Sequence, residues 1–120
     1  VTKRMPTLWV FIEQYLARGS KWPNNSWVTC HGFAHLYVRI TSRVIGDEKL
    51  APVLDLANME AREPGKGAFG NMFRRLRAEH PHLHIYVEQT HERFGAHLFR
   101  LGFLKLDPYV YGDSYIYKAG

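Results

Sequence analysis

Val53-Leu54-Asp55-Leu56-Ala57-Asn58-Met59-Glu60-Ala61-Arg62-Glu63-Pro64-Gly65-Lys66-Gly67-Ala68-Phe69-Gly70 is the stretch on which the fold turns. An apolar strand from Val53 to Met59 runs through a Gly-x-Gly turn into a segment whose apolar residues Phe69, Met72, Phe73 and Leu76 share one helical face. Glycine at such a junction lets the backbone turn sharply and lie close to a ligand. The first turn of the helix adds unpaired N–H groups and the positive end of its dipole, so the junction suits a phosphate.

Two nucleotide loops fail against this stretch. Gly65-Lys66-Gly67-Ala68-Phe69-Gly70 has the dinucleotide-binding spacing by letter, but no second βαβ unit follows it. A Walker loop requires Ser or Thr after Gly-Lys, and Gly67 stands there. Arg62-x-x-Gly65-x-Gly67 instead resembles the R/Q-x-x-G-x-G/A signature of the GNAT superfamily of N-acetyltransferases. A second segment carries the same resemblance. His84-Ile85-Tyr86-Val87-Glu88-Gln89-Thr90 reads as a strand and leads into a helix ending in Gly102-Phe103, with His91 at the position where the superfamily usually has Asn.

Composition sets the frame around these motifs. A chain of 120 residues with 46% hydrophobic and 14% aromatic residues is expected to fold as one domain, residues 1–120, with its own core. No apolar run reaches the roughly 18–20 residues of a membrane span. A soluble, cytoplasmic protein without a membrane partner is expected. The single Cys30 has no partner for an intramolecular disulfide and reads as a small buried side chain. A net charge of +5 suits a polyanionic cofactor as well as a nucleic acid. Arg74, Arg75 and Arg77 form one local cluster, read as a solvated helix face, so nucleic acid is the weaker reading.

Outward from the glycine loop, the pattern gives a helix over Thr7 to Arg18 and a polar loop over Ser20 to Ser26. Strands follow at Trp27 to His31 and Phe33 to Ile45, the latter turning through Gly46 to Lys49 into the strand from Val53. The connection from Val53 through the signature helix to the strand Leu83–Gln89 is expected to cross over right-handed, making those two strands parallel. A helix over Glu92 to Leu101 and a final hairpin, Leu104 to Val110 with Ser114 to Lys118, complete the chain. The order is α-β-β-β-α-β-α-β-β, an α/β (α+β) mixed sheet with helices on its faces. It resembles the GNAT fold without its usual first strand and second helix.

The resemblance implies an acetyl-CoA-dependent N-acetyltransferase, with acetyl-CoA as co-substrate and an amine of a protein or a small molecule as acceptor. It implies that Ala57, Asn58 and Met59 bind the pantetheine arm through their backbone, and that Gly65, Lys66, Gly67, Ala68, Phe69 and Gly70 cradle the pyrophosphate. Arg62 or Lys66 adds charge there, and His91 takes the place of the usual Asn. The chemistry needs a base for the ammonium proton and a donor for the departing thiolate. The family's carboxylate position is occupied by Tyr86. Glu88 follows on the same strand face and Asp55 lies on the neighbouring strand, so these three are the candidate bases, Glu88 first. Leu98 stands where the family has its acidic Tyr, which leaves water, His97, Tyr109 or Tyr111 as the donor. The short N-terminal region and Leu98 also fit a catalytically silent GNAT-fold binding protein.

Among seven histidines, His80, His82 and His84 are the closest set, and His82 and His84 would share a strand face. Two ligands without a nearby Cys do not make a structural metal site, and no metal is expected.

Overall fold

The computed structural model describes residues 5–19, 24–90, 92–106 and 113–120, with the backbone alone at 89, 90 and 92. Its elements are α1 (Leu8–Arg18), β1 (Asn25–Val28), β2 (Phe33–Ile45), β3 (Glu48–Ala61), α2 (Ala68–Glu79), β4 (His84–Thr90), α3 (Glu92–Arg100), β5 (Leu104–Lys105) and β6 (Asp113–Tyr117). The six strands form one mixed sheet in the order β1-β2-β3-β4-β6-β5. β1, β2 and β3 are an antiparallel meander, β3 and β4 run parallel, and β6 lies antiparallel between β4 and β5. The expected parallel pair is present.

Strand alternation sorts the sheet into two unlike faces. Val38, Ile40, Leu54, Leu56, Ile85, Val87 and Tyr115 point to one side and join a cluster with Leu8, Phe11 and Ile12 of α1, Phe69, Met72, Phe73 and Leu76 of α2, and Leu98 of α3. All three helices therefore cover the same face, which corrects the expectation of helices on both. The reason is in the helices themselves: each has one apolar stripe, and one side of the sheet holds the larger share of the apolar residues. Among the described residues the other face carries a smaller cluster of Leu50, Val53, Tyr86 and Ile116, with Ile45 and Leu106 packed against it, beside charged side chains.

Aromatic packing fixes α2 and α3 relative to the sheet. The Phe73 ring meets Tyr117 edge-on at 5.0 Å and Phe103 at 5.2 Å, while Phe69 meets Phe94 edge-on at 5.0 Å. Such edge-to-face contacts add about 0.5–1.5 kcal/mol each beyond the area they bury. At the other end, the Thr7 hydroxyl caps α1 by accepting from the Val10 N–H at 3.1 Å, and the Leu8 N–H donates to the Thr29 carbonyl at 2.9 Å. The first helix is thus tied to the end of β1.

Boundaries of α1, β4 and α3 differ from the sequence reading by one residue, and larger differences lie elsewhere. β1 is Asn25–Val28, because Thr29 leaves the ladder to bridge Thr7. β3 begins at Glu48 and continues to Ala61, beyond both expected ends. Pro52 is accommodated because Thr41 pairs with Val53 and Arg43 with Leu50, leaving Ala51 and Pro52 in a bulge where no ladder donor is required. His82 lies in a turn before β4, so it shares no strand face with His84. Of the final hairpin, Lys105 and Leu104 pair with Tyr115 and Ile116, and residues 107–112 lie outside the described residues.

Candidate functional site

The site begins with a break in the sheet. The parallel ladder between β3 and β4 joins Val53 to His84, Leu54 to Ile85, Asp55 to Tyr86 and Leu56 to Val87, and ends there. Both strands continue, β3 to Ala61 and β4 to Thr90, without a rung between them. On the opposite side of β3, Val38 pairs with Leu56 while Tyr37 pairs with Asn58, so Ala57 is an extra residue in a bulge. A bulge bends its strand and sharpens the twist. Here it falls at the residue where β3 leaves β4. The edges of Ala57–Ala61 and of the end of β4 therefore face each other without pairing, and unpaired strand edges accept an extended chain.

The glycine loop closes the end of this opening. Gly65 and Gly67 both have φ of 82°, a left-handed conformation that favours glycine, and a Cβ on either would meet nothing within 4 Å. The loop is held from below: the Arg62 N–H donates to the Gly32 carbonyl at 2.9 Å, and Asn71 N–H closes the first turn of α2 on the Gly67 carbonyl at 3.0 Å. Gly67 is the N-cap and provides no side-chain acceptor, so Ala68, Phe69 and Gly70 carry the unpaired N–H groups of the helix start. Phe69 and Gly70 are themselves buried, and the Phe69 side chain belongs to the core. Only their backbone can serve a ligand.

The remaining predicted cofactor positions are spread along the opening. Asn58 is exposed, with its Oδ1 3.1 Å from Nε2 of His35, and Met59 is half-buried against the core. Arg62 and Lys66 are exposed, and neither has a carboxylate within 4 Å among the described residues. His91, Tyr109 and Tyr111 lie outside the described residues.

The three candidate bases come together on the face of the sheet that no described helix covers. Asp55 is 1% exposed. Arg43 grips it with two bonds, Nε to Oδ1 at 3.0 Å and Nη2 to Oδ2 at 2.7 Å, while its guanidinium stacks 3.6 Å above the Tyr86 ring. This bond to Asp55 raises the Arg43 pKa against the opposing effect of burial, so the guanidinium stays charged. Arg39 Nη2 lies 3.5 Å from Asp55 Oδ2 and 3.4 Å from Glu88 Oε1. Tyr86 is buried and donates its hydroxyl to Ser114 Oγ at 3.1 Å. The outcome is a chain of alternating charge, Arg43–Asp55–Arg39–Glu88, in which Glu88, with its side chain 28% exposed, is the carboxylate open to solvent.

Sequence reasoning missed Arg39 and Arg43. Their signal was the alternation of β2, which puts basic residues opposite Asp55 on the same side of the sheet. The direct pairing of Arg39 with Asp55 follows from the strand order.

On the helix side, Leu98 is fully buried, and His97 packs 6.3 Å from Phe69 and 6.2 Å from Phe94. Cys30 is half-buried beside a cavity. Burial raises its thiol pKa, with Arg75 and a backbone bond at His31 acting in the opposite direction. The Arg cluster of α2 is engaged within the chain: Arg75 binds Glu79 and stacks on Trp9, Arg77 lies over Tyr117, and Arg74 bonds Asn71. Among the described residues no three His, Cys, Asp or Glu side chains come together as a metal would require. No described helix is long and apolar enough to cross a membrane.

No family model, curated protein or solved structure matches the chain.

Proposed function

We propose that this chain is an acetyl-CoA-dependent N-acetyltransferase of the GNAT type, in which the pantetheine arm lies as a false strand between β3 and β4. The observation that carries the proposal is the end of the β3–β4 ladder at Leu56 and Val87, coincident with the Ala57 bulge and aimed at an open glycine loop. Free strand edges give hydrogen bonds to an extended amide chain. The uncapped N-terminus of α2 gives N–H groups to a pyrophosphate at the end of it.

In this reading the acceptor approaches from the helix-free face, where Glu88 takes the ammonium proton directly or through water. The free amine attacks the thioester carbonyl, the C–S bond breaks, and the thiolate takes a proton from water. Arg39 holds Glu88 in place. Asp55 is committed to Arg43 and the Tyr86 hydroxyl to Ser114, which leaves Glu88 as the base. The acceptor is an amine of a protein or a small molecule.

Leu98 favours a second reading. A fully buried leucine in the place of the family's proton donor fits a domain that binds acetyl-CoA without transferring the acetyl group. Mass spectrometry of products after incubation with acetyl-CoA and cell lysate separates the two. Acetylated amines that require Glu88 support transfer; acetyl-CoA binding without product supports the silent domain; neither binding nor product overturns both.

A further inference from the structure

Beyond the last rung of their pairing, Val28 with Leu36, β1 and β2 separate, and a cavity of about 840 Å³ fills the fork. It is lined by Trp9, Trp27, His31, Arg62, Lys66 and Asn71, among others, and so reaches from the edge of the sheet to the start of α2. Its size is within the roughly 300–1,000 Å³ of small-molecule sites. We propose that it is a nucleotide site, taking an aromatic base that carries a phosphate.

Three features specify that chemistry. Trp27 is 45% exposed, although it is a large aromatic side chain braced by Tyr37 at 5.1 Å and His35 at 5.7 Å, so it offers a fixed stacking surface. Every nucleic-acid base has a flat π-face that stacks on an aromatic side chain. Arg62 and Lys66 bring two cations to a wall whose acidic residue is Glu63, and neither cation is spent on an internal ion pair among the described residues. Arg62, Lys66 and Ala68 also belong to the glycine loop, so a phosphate at the loop and a base in the cavity fit one continuous ligand.

The close approach that forms this wall is built into the backbone. The β1–β2 turn reaches α2 through Gly32, where a Cβ would lie 2.8 Å from the Cβ of Ala68. The Arg62 N–H bond to the Gly32 carbonyl fastens the same contact.

Two sources share this chemistry, a free adenine nucleotide and the nucleotide half of coenzyme A; the second rests on the acetyltransferase reading, the first does not. Cys30 lines the cavity and is the only cysteine in the sequence; because burial raises its thiol pKa, alkylation by iodoacetamide is followed at pH ~9.5, where thiolate is formed in the open site, and reports occupancy. Adenosine 3′,5′-bisphosphate is the probe. It should bind by calorimetry, slow Cys30 alkylation several-fold, and bind at least tenfold more weakly to Trp27→Ala and Lys66→Ala, with Trp27→Phe retaining most affinity. Protection by CoA but not by 4′-phosphopantetheine assigns the site to CoA, whereas protection by the bisphosphate alone assigns it to a free nucleotide. A bisphosphate that neither binds nor protects at millimolar concentration overturns the proposal. If, beside that failure, CoA binds Trp27→Ala as tightly as wild type, the cavity proposal falls while the acetyltransferase reading stands.

Discussion

Leu56 on β3 pairs with Val87 on β4, and this is the last rung of the parallel ladder. One residue later Ala57 bulges toward β2, so the two strands diverge with their edges unpaired. Every part of the proposed site follows from this divergence: an opening for an extended chain, a glycine loop at its end, and Glu88 on β4 beside it.

Replacing Glu88 tests the base. Glu88→Gln should lower kcat by about 10²-fold with little change in the KM for acetyl-CoA, because general-base catalysis acts on the transition state rather than on cofactor binding. The loss should shrink at high pH, where the amine deprotonates unaided. Steady-state kinetics from pH 6 to 9 would measure this; wild-type turnover at pH 7 moves the role elsewhere.

Asp55 is expected to matter for stability instead. It is buried and bonded twice to Arg43, so Asp55→Ala leaves a partly exposed guanidinium without its charge-assisted partner, a loss of about 1.5–3 kcal/mol. Urea denaturation gives the value. A loss below about 1 kcal/mol would mean that solvent replaces the carboxylate at little cost.

The backbone of the strand–loop–helix unit was legible in the sequence because each piece has its own period or breaker. Val53 to Met59 reads as apolar strand, Gly65 and Gly67 as a turn, and Phe69, Met72, Phe73 and Leu76 as one helix face, all of which the structure shows. The Ala57 bulge was not legible, since nothing in Leu56-Ala57-Asn58 marks an extra residue; it is defined by the register against Tyr37 and Val38. The placement of all helices on one face was also hidden. It depends on which strand neighbours which, and hydrophobic period alone does not give strand order. Arg39 and Arg43 escaped notice for a related reason: their partner Asp55 is distant in sequence.

His84 gives a pH dependence with a definite sign. Burial lowers its pKa, with Glu48 opposing and Lys118 adding to the shift, and Nδ1 accepts the Ala119 N–H at 3.0 Å only when unprotonated. The folded chain thus favours the neutral ring. Its contribution is fully present above the unfolded value of about 6.5 and is lost as pH falls below it. Melting temperature should drop between pH 7 and pH 5, and less so in His84→Asn, which keeps an acceptor. Equal slopes for the two proteins would remove His84 from the account.

Gly32→Ala should destabilise the fork between β1 and β2. Its φ of 90° is unfavourable for an L-residue, by about 1–2 kcal/mol, and the new methyl meets Ala68. The double variant Gly32→Ala/Ala68→Gly should recover the steric part and leave the conformational part. Thermal denaturation of the three proteins tests this, and full stability of Gly32→Ala would contradict the contact.

Amide hydrogen exchange with and without acetyl-CoA tests the central claim most directly. Amides that lack a partner across the opening exchange readily, and a pantetheine chain bonded to them slows that exchange. Saturating acetyl-CoA should increase protection at Ala57, Asn58 and Met59 and at the first amides of α2, Ala68 to Gly70, while leaving β1 and the paired segment Val53–Leu56 nearly unchanged. Unaltered exchange at both places, at a concentration of acetyl-CoA that calorimetry shows to be bound, would contradict it.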